Sequence, residues 1–298
     1  MYDLRFTASA EDFVREAGGY LAEHSVSENV AATVAARAIR EAAEGLARPA
    51  GRPWWFLTVR DESGRVVGIA MRTAPGPDFG VWAGELPDQA AAQLGEVLVG
   101  RGESVRMING SQRSGRVLAE RIAELTHRQV RIHRRERLFE LGELRPPAGV
   151  PGRLRYARPD DLDLVNTWRD VFLPEAEEQA GRPASPADHH DPADTLRRIR
   201  DGQVWLWEDG GQVVHFTGAN PPSAGVARIG PVYTPKAFRG KGYAIAAVAG
   251  VSQHFLDQGA RVCLFTDQAN PVSNRIYQRI GYRPVVDMAQ LIIERSTG

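Results

Sequence analysis

Cysteine is nearly missing from this chain: Cys263 is the single one in 298 residues. That excludes an intrachain disulfide, a cysteine-based zinc site and a disulfide-stapled secreted scaffold, and a reducing cytoplasm is the expected compartment. Lysine is almost as scarce, because of the 37 basic residues only Lys236 and Lys241 are lysines. A surplus of charge is missing too: 37 acidic residues balance the 37 basic ones. With no overall field to draw the chain onto nucleic acid or anionic lipid, only a local patch would bind either, and neither is expected as a partner. No apolar run reaches 18 residues, and the start, Met1-Tyr2-Asp3-Leu4-Arg5-Phe6, lacks a basic segment followed by an apolar stretch. Neither export nor membrane spanning is therefore expected. What is present, 43% hydrophobic and 25% charged residues, is the composition of a globular protein. At roughly 150 residues per domain the length suits two domains or one large one.

Leu144 to Gly152, LRPPAGVPG, sits at the midpoint and carries prolines and glycines with no apolar period, as a linker does. The same pattern recurs on both sides of it. Trp55 to Val59, a turn at Asp61 to Gly64 and Val66 to Ala70 lead to Pro75; Val204 to Trp207, a turn at Asp209 to Gly211 and Val213 to Thr217 lead to Pro222. Val66 to Val213 and Pro75 to Pro222 share one offset, 147 residues, which implies two copies of one unit. The expected domains are 1–143, a linker 144–152 and 153–298.

In the second copy the pattern gives a strand at Arg153 to Ala157, then a helix opening at Pro159-Asp160-Asp161, whose acid groups suit a positive helix start. A polar region, Leu173 to Asp194, is expected to hold a loop leading into a second helix through Leu196 and Ile199. Two hairpin strands follow, then a buried strand at Val226 to Tyr233, a glycine-bearing loop and a helix from about Gly242 to Asp257. A strand at Val262 to Thr266, a helix from Pro271 to Ile280 closed by Gly281, and a strand at Met288 to Ile293 complete it. Strands alternating with helices in this order imply a mixed α/β sheet flanked by helices.

The most informative stretch is Tyr233-Thr-Pro-Lys-Ala-Phe-Arg-Gly-Lys-Gly-Tyr-Ala244, between an apolar strand and an apolar helix. A helix start leaves backbone NH groups without partners, and glycines let an anion approach them closely, so the loop reads as a pyrophosphate cradle. Arg239 and Lys241 add positive charge. Gly240 and Gly242 serve equally well as the geometry of an ordinary strand-to-helix turn. The loop is neither GxxxxGK[ST] nor GxGxxG, which disfavours a nucleoside triphosphatase or a dinucleotide fold.

Arg239-Gly-Lys-Gly242-Tyr-Ala244 resembles the Q/R-x-x-G-x-G/A signature of GNAT-type N-acetyltransferases, whose backbone amides hold the pyrophosphate of coenzyme A. Asp267-Gln-Ala-Asn270-Pro-Val-Ser-Asn274-Arg-Ile-Tyr277-Gln-Arg-Ile-Gly281-Tyr282 is similar to the second motif of that family. The resemblance covers Arg153 to Glu294 and implies two tandem GNAT-like domains, each a twisted mixed sheet flanked by helices. It implies acetyl-CoA as co-substrate, no metal, and transfer of an acetyl group to a primary amine of a small molecule by direct attack in a ternary complex. The residues it points to at the cofactor are Val232, Tyr233, Thr234, Arg239, Gly240, Lys241, Gly242, Tyr243, Ala244, Asn270, Ser273, Asn274 and Tyr277. The first half has no RGxG: near Glu85-Leu-Pro-Asp-Gln-Ala-Ala-Ala-Gln-Leu-Gly95 the acid groups would repel phosphate, and after Ile108-Asn-Gly-Ser111 no tyrosine stands where Tyr277 does. That copy is expected to be degenerate.

The amide of Val232 or Tyr233 would polarise the thioester oxygen, and Pro231, which cannot donate to a ladder, fits a disrupted strand there. Asn270 is a pantetheine contact or a cap for the helix beginning at Pro271, and both can hold. Tyr277 is the candidate acid, the bland alternative being a packed core tyrosine. A phenol at about 10 against a thiol at about 8.5 favours hydrogen-bond donation to the developing thiolate over full proton transfer. No residue identifies itself as the base: Glu175, Glu177, Glu178, Asp188, His189 and His190 fall in the polar region, and His215 in a strand facing the cleft.

His189-His190-Asp191 lacks a third ligand spacing and reads as a polar loop, so no metal is expected. Arg128 to Arg137 is basic, but Val130 and Ile132 alternate with polar residues as in a half-buried strand. Cys263 reads as inert packing. Rival readings are an acyl-CoA sensor or scaffold without turnover, transfer of a longer acyl group, and a protein amine as acceptor. A homodimer is left open.

Overall fold

The computed structural model describes residues 2–46, 53–73, 80–183 and 190–295. Pro75, Asp188 and His189 lie outside the described residues.

In chain order the elements are β1 (Asp3–Thr7), α1 (Ala10–Glu23), α2 (Asn29–Ala43), β2 (Trp55–Arg60), β3 (Val66–Arg72), β4 (Val81–Ala83), α3 (Asp88–Gly100), β5 (Met107–Ser111), α4 (Gln112–Thr126) and β6 (Gln129–Leu141). Then come β7 (Arg153–Tyr156), α5 (Leu162–Gln179), α6 (Pro192–Arg200), β8 (Val204–Asp209), β9 (Gln212–Ser223), β10 (Val226–Tyr233), α7 (Tyr243–Asp257), β11 (Arg261–Asp267), α8 (Pro271–Arg279) and β12 (Tyr282–Glu294).

The chain forms two compact units, 1–137 with 286–298, and 138–285. These boundaries differ from the division at the proline-rich segment, because the chain enters the second unit within β6 and returns to the first within β12. No linker composition marks either crossing. In the first unit β1, β2, β3 and β4 pair antiparallel in sequence, and β4 pairs parallel with β5. Met288 to Ile292 of β12 pair antiparallel with β5, and Ala289, Leu291 and Ile293 join the core of Leu57, Ile108, Leu118 and Ile122.

The second unit repeats the plan. β7, β8, β9 and β10 pair antiparallel in sequence, and β10 pairs parallel with β11. That shared order is the physical content of the repeat seen at Val66 and Val213. The turn joining β8 to β9 uses Gly210 and Gly211 at φ of 57° and 80°, conformations that L-residues rarely adopt. Helix α7 is apolar around most of its circumference because Val248, Val251 and Phe255 pack with Ile229, Val262 and Leu264, while Tyr243, Ala246 and Ala247 pack with Trp207 and Val214. Fully burying each large side chain contributes about 2 kcal/mol.

One expectation is corrected. Leu173 to Gln179 are not a loop: α5 continues through Pro174 to Gln179, so Glu175, Glu177 and Glu178 stand on its last two turns. The polarity there belongs to a helix end carrying ion pairs, which composition alone does not distinguish from a loop. Part of the basic run in β6 is ion-paired within its unit, Arg131 with Glu294 at 3.0 Å and Arg137 with Asp287 at 2.6 Å. No described helix is long and apolar enough to cross a membrane.

Candidate acyl-donor site

The second unit opens where two neighbouring strands part. β10 and β11 pair in parallel from Val226 opposite Arg261 to Ile229 opposite Leu264, and pairing stops there although β10 continues to Tyr233 and β11 to Asp267. On its other side β10 shifts register against β9 between Ile229 and Val232, placing Gly230 and Pro231 opposite Gly218. A Cβ at Gly218 would lie 3.0 Å from Pro231 Cδ and 3.1 Å from the Gly230 carbonyl, so glycine is what allows the bulge its close approach. Pro231 was legible as a breaker; Gly218 was missed, and its one signal was a glycine in the facing strand.

The loop after β10 leads into a bare helix start. Gly240 and Gly242 have φ of 81° and 87°, and Gly242 is the N-cap of α7 without a side-chain cap. The first helical bond runs from Ala246 N to Gly242 O, and the amides of residues 240–245 meet no acceptor among the described residues. An uncapped helix start presenting unpaired amides is chemically an anion site. A Cβ on Gly242 would come 3.1 Å from Val150, whereas Gly240 faces open space.

The charges divide unequally. Arg239 turns back: its Nε donates to the Thr234 carbonyl at 2.9 Å and its Nη2 to Glu175 Oε2 at 2.5 Å. Lys236 pairs with Glu178 at 2.6 Å, and Lys241 is exposed with no ion-pair partner among the described residues. Tyr233 donates to Glu175 Oε1 at 3.2 Å, and burial with that carboxylate nearby pushes its phenol up to about 12. Tyr243 is packed in the core, donating to Asp209 at 2.5 Å, so only its backbone faces the loop's amide row. Ala244 follows in the first turn of α7.

Across the opening stands α8. Asn270 caps it, accepting from Ser273 N at 3.1 Å. Asn274 is fully engaged in shaping the turn: its Nδ2 donates to the carbonyls of Asp267 at 3.0 Å and Asn270 at 2.8 Å, and Thr266 donates to its Oδ1 at 2.6 Å. The cap reading of Asn270 therefore holds, and both asparagine side chains organise the loop below the opening. Tyr277 lies in the core with its ring 6.1 Å from Tyr282, edge to face. Its hydroxyl meets no partner among the described residues, and burial raises its pKa, so it stays protonated across the neutral range. A phenol with an unengaged hydroxyl in an otherwise packed core retains a hydrogen bond to donate.

The remaining base candidates among the described residues are occupied. His215 is fully buried, its ring nitrogens 2.7 Å from Thr234 Oγ1 and 2.7 Å from Thr217 Oγ1, and burial lowers its pKa to about 3. It does not face a cleft; it ties the start of the loop to β9. Glu177 and Asp267 both bind Arg182, tying the end of α5 to the end of β11. His190 lies 3.1 Å from Asp170. Among the described residues no cluster of three or more potential metal ligands occurs. Cys263 is buried, which pushes its thiol up to about 12 and leaves it unreactive.

The first unit differs at the same place. β4 and β5 pair to their ends, Ala83 opposite Gly110, and a Cβ on Gly110 would lie 1.9 Å from the Ala83 carbonyl. The amide of Leu86 donates to Ser114 Oγ at 2.8 Å, and that of Glu85 to the buried carboxyl of Glu28 at 3.3 Å. There the strands are zipped and amides ahead of the helix are consumed.

This arrangement defines a class, two α/β units of one plan of which one carries a splayed strand pair and an open helix start. Solved structures share the fold. A Drosophila protein superposes with a TM-score of 0.67 at 13% identity, covering 98% of this chain and 99% of that one. A GCN5-related N-acetyltransferase from Sphaerobacter thermophilus gives 0.56 at 19%, covering 99% and 96%. A tandem GNAT protein from the clavulanic acid biosynthesis pathway gives 0.51 at 13%, covering 99% and 100%. No curated protein sequence matches. Residues 165–282 match the profile of the Acetyltransferase (GNAT) family, and that segment of the second unit is similar to its domain. The coarse assignment that follows is an acyltransferase whose co-substrate is an acyl-CoA.

Proposed function

We propose that the protein is an N-acetyltransferase that moves an acetyl group from acetyl-CoA to a primary amine of a small molecule, using the second unit alone. The observation carrying this reading is the row of unpaired amides at residues 240–245, beside the parted ends of β10 and β11. Those amides and Lys241 would hold the diphosphate, and the free edge of β10 at Val232 and Tyr233 would take the pantetheine arm as a strand takes a neighbour. Bound there, acetyl-CoA supplies an activated thioester. An amide of Val232 or Tyr233 donates toward the carbonyl oxygen as it gains charge, and Tyr277 donates its hydroxyl hydrogen bond to the departing sulfur. Holding the amine against the carbonyl supplies much of the remaining acceleration.

Gly242→Glu tests the cradle, placing bulk against Val150 and a negative charge at the amides. Calorimetry is expected to find acetyl-CoA binding abolished; undiminished affinity refutes the assignment. Mass spectrometry of a metabolite extract, with acetyl-CoA and succinyl-CoA offered in parallel, identifies acyl group and acceptor.

A second reading is favoured by one observation. Glu175, Glu177, Glu178, His190 and His215 are all engaged with other groups, leaving none of them free as a base. An acyl-CoA-binding module without turnover would show tight binding and no acetylated product with any acceptor.

A further inference from the structure

A concave site of about 610 Å³ lies in the second unit at the end opposite the loop. It gathers the far ends of the same elements: the last turn of α7, the last residue of β7, the start of β8, the end of β9 and the C-terminal end of α6. Fifteen residues of α7 at about 1.5 Å each separate it from Gly242 by roughly 20 Å. It therefore belongs to no part of the acyl-donor site, and the inference does not rest on the proposed activity.

Its floor is aromatic. Tyr156 lies 5.3 Å from Trp205 and 5.9 Å from His254, and Trp205 lies 5.8 Å from Phe255. Trp205 and Phe255 are 4% exposed and fixed by the core, while Tyr156 is 46% exposed and offers a large part of its surface to solvent. A large exposed aromatic packed at a tilt against a buried one is a surface on which a planar ligand can lie.

The rim is cationic. Arg158 and Arg200 line the site; Arg158 adds to the positive charge felt by Asp161, which Arg155 already binds, but neither forms a direct salt bridge among the described residues. Their neighbours do: Arg155 pairs with Asp161 and Glu208, and Arg169 and Arg197 with Asp194. The one carboxylate in the lining, Asp201, accepts from Gln203 at 3.4 Å. Two unpaired guanidiniums disfavour a cation over these rings, although aromatic faces alone would accept one. They suit an oxyanion, which they can bind in a fork.

We propose that this cavity binds a planar aromatic anion, the ring stacked on Tyr156 and the anionic group held by Arg158 and Arg200. The probe is 2-naphthoate, titrated calorimetrically into the full chain, with 2-naphthalenemethanol as the neutral isostere and adenosine monophosphate as the phosphate-bearing alternative. Saturable binding at one site is expected for naphthoate or the nucleotide, weakened about tenfold or more by Arg200→Glu and by Arg158→Glu, and similarly by Tyr156→Ala. The neutral isostere is expected to bind at least about tenfold more weakly than naphthoate. All three positions are solvent-exposed, so circular dichroism should show unchanged folding. The carboxylate or the nucleotide binding better identifies which anion is read. No saturable binding of either anion, equal binding of the isostere, or binding indifferent to the three substitutions overturns the proposal.

Discussion

Two tyrosines one turn and a half apart in sequence illustrate how a hydroxyl is assigned its task. Tyr282 shares a 2.8 Å hydrogen bond with Ser252 and is 2% exposed, while Tyr277, 6.1 Å away ring to ring, has a hydroxyl with no partner among the described residues. Removing the first should cost about 1 kcal/mol of stability, because Ser252 loses its partner in the core. Removing the second should cost almost nothing. Tyr277→Phe is therefore expected to melt with the wild type and keep its acetyl-CoA affinity, while kcat falls by about a hundredfold or more if the phenol donates to the leaving sulfur. Thermal denaturation of both variants with steady-state kinetics of Tyr277→Phe makes the comparison; equal turnover in Tyr277→Phe and wild type excludes the role. The sequence placed Tyr277 on its helix but left its two readings open, since burial and an unpaired hydroxyl are both needed and neither is local. Arg239 shows the limit more sharply. Its position beside Gly240 read as a phosphate ligand, yet its guanidinium is spent on Glu175, 64 residues earlier in the chain.

At the scale of elements, the feature on which the proposed function rests is a disagreement between strand length and strand pairing. β10 and β11 were legible nearly to the residue, because apolar runs bounded by Gly225 and by the Pro235 turn leave little latitude. Their parting after Ile229 and Leu264 was legible only through Pro231, and the bulge depends on Gly218 across the pair. Gly218→Ala forces the Gly230-Pro231 segment away by a few tenths of an ångström or more. It is expected to destabilise the protein by about 1 to 3 kcal/mol and to weaken acetyl-CoA binding severalfold, since the donor edge at Val232 shifts with the bulge. Gly240→Ala is the companion: with open space around its Cβ, it carries only the backbone strain of a positive φ, roughly 1 kcal/mol. Urea unfolding and calorimetry of both variants separate a packing effect from a conformational one. An unchanged affinity in Gly218→Ala would detach the bulge from cofactor binding.

The two units also differ in a way that only the whole chain expresses. The duplication was readable from a shared offset, but the crossings within β6 and β12 were not, because each falls inside a strand of ordinary composition. Among the groups that the two units bury, Glu28 of the first and His215 of the second are shifted in opposite directions. Burial raises the Glu28 carboxyl to about 8 in the first unit, and its Oε2 has no partner. Burial lowers His215 to about 3 in the second. For Glu28 the folded state holds a proton that the unfolded state gives up above about 4.5, so the first unit loses stability as pH rises from there toward 8. For His215 the unfolded state binds the proton that the folded state refuses, so the second unit keeps its stability above about 6.5 and loses it as pH falls toward 3. Asp161, held low chiefly by its hydrogen bonds from Arg155, adds to the acid side as pH falls below the ordinary aspartate range. Each group contributes a slope of up to about 1.4 kcal/mol per pH unit within its window. Hydrogen exchange followed across pH 5 to 8, corrected for the intrinsic rates, should find protection of 2–137 falling with alkali and that of 138–285 falling with acid. Glu28→Gln should flatten the first trend and leave the second intact, and His215→Gln the reverse. Parallel slopes in the two units, or slopes untouched by these substitutions, would mean that the carboxyl and the imidazole do not set the pH response of the units that bury them.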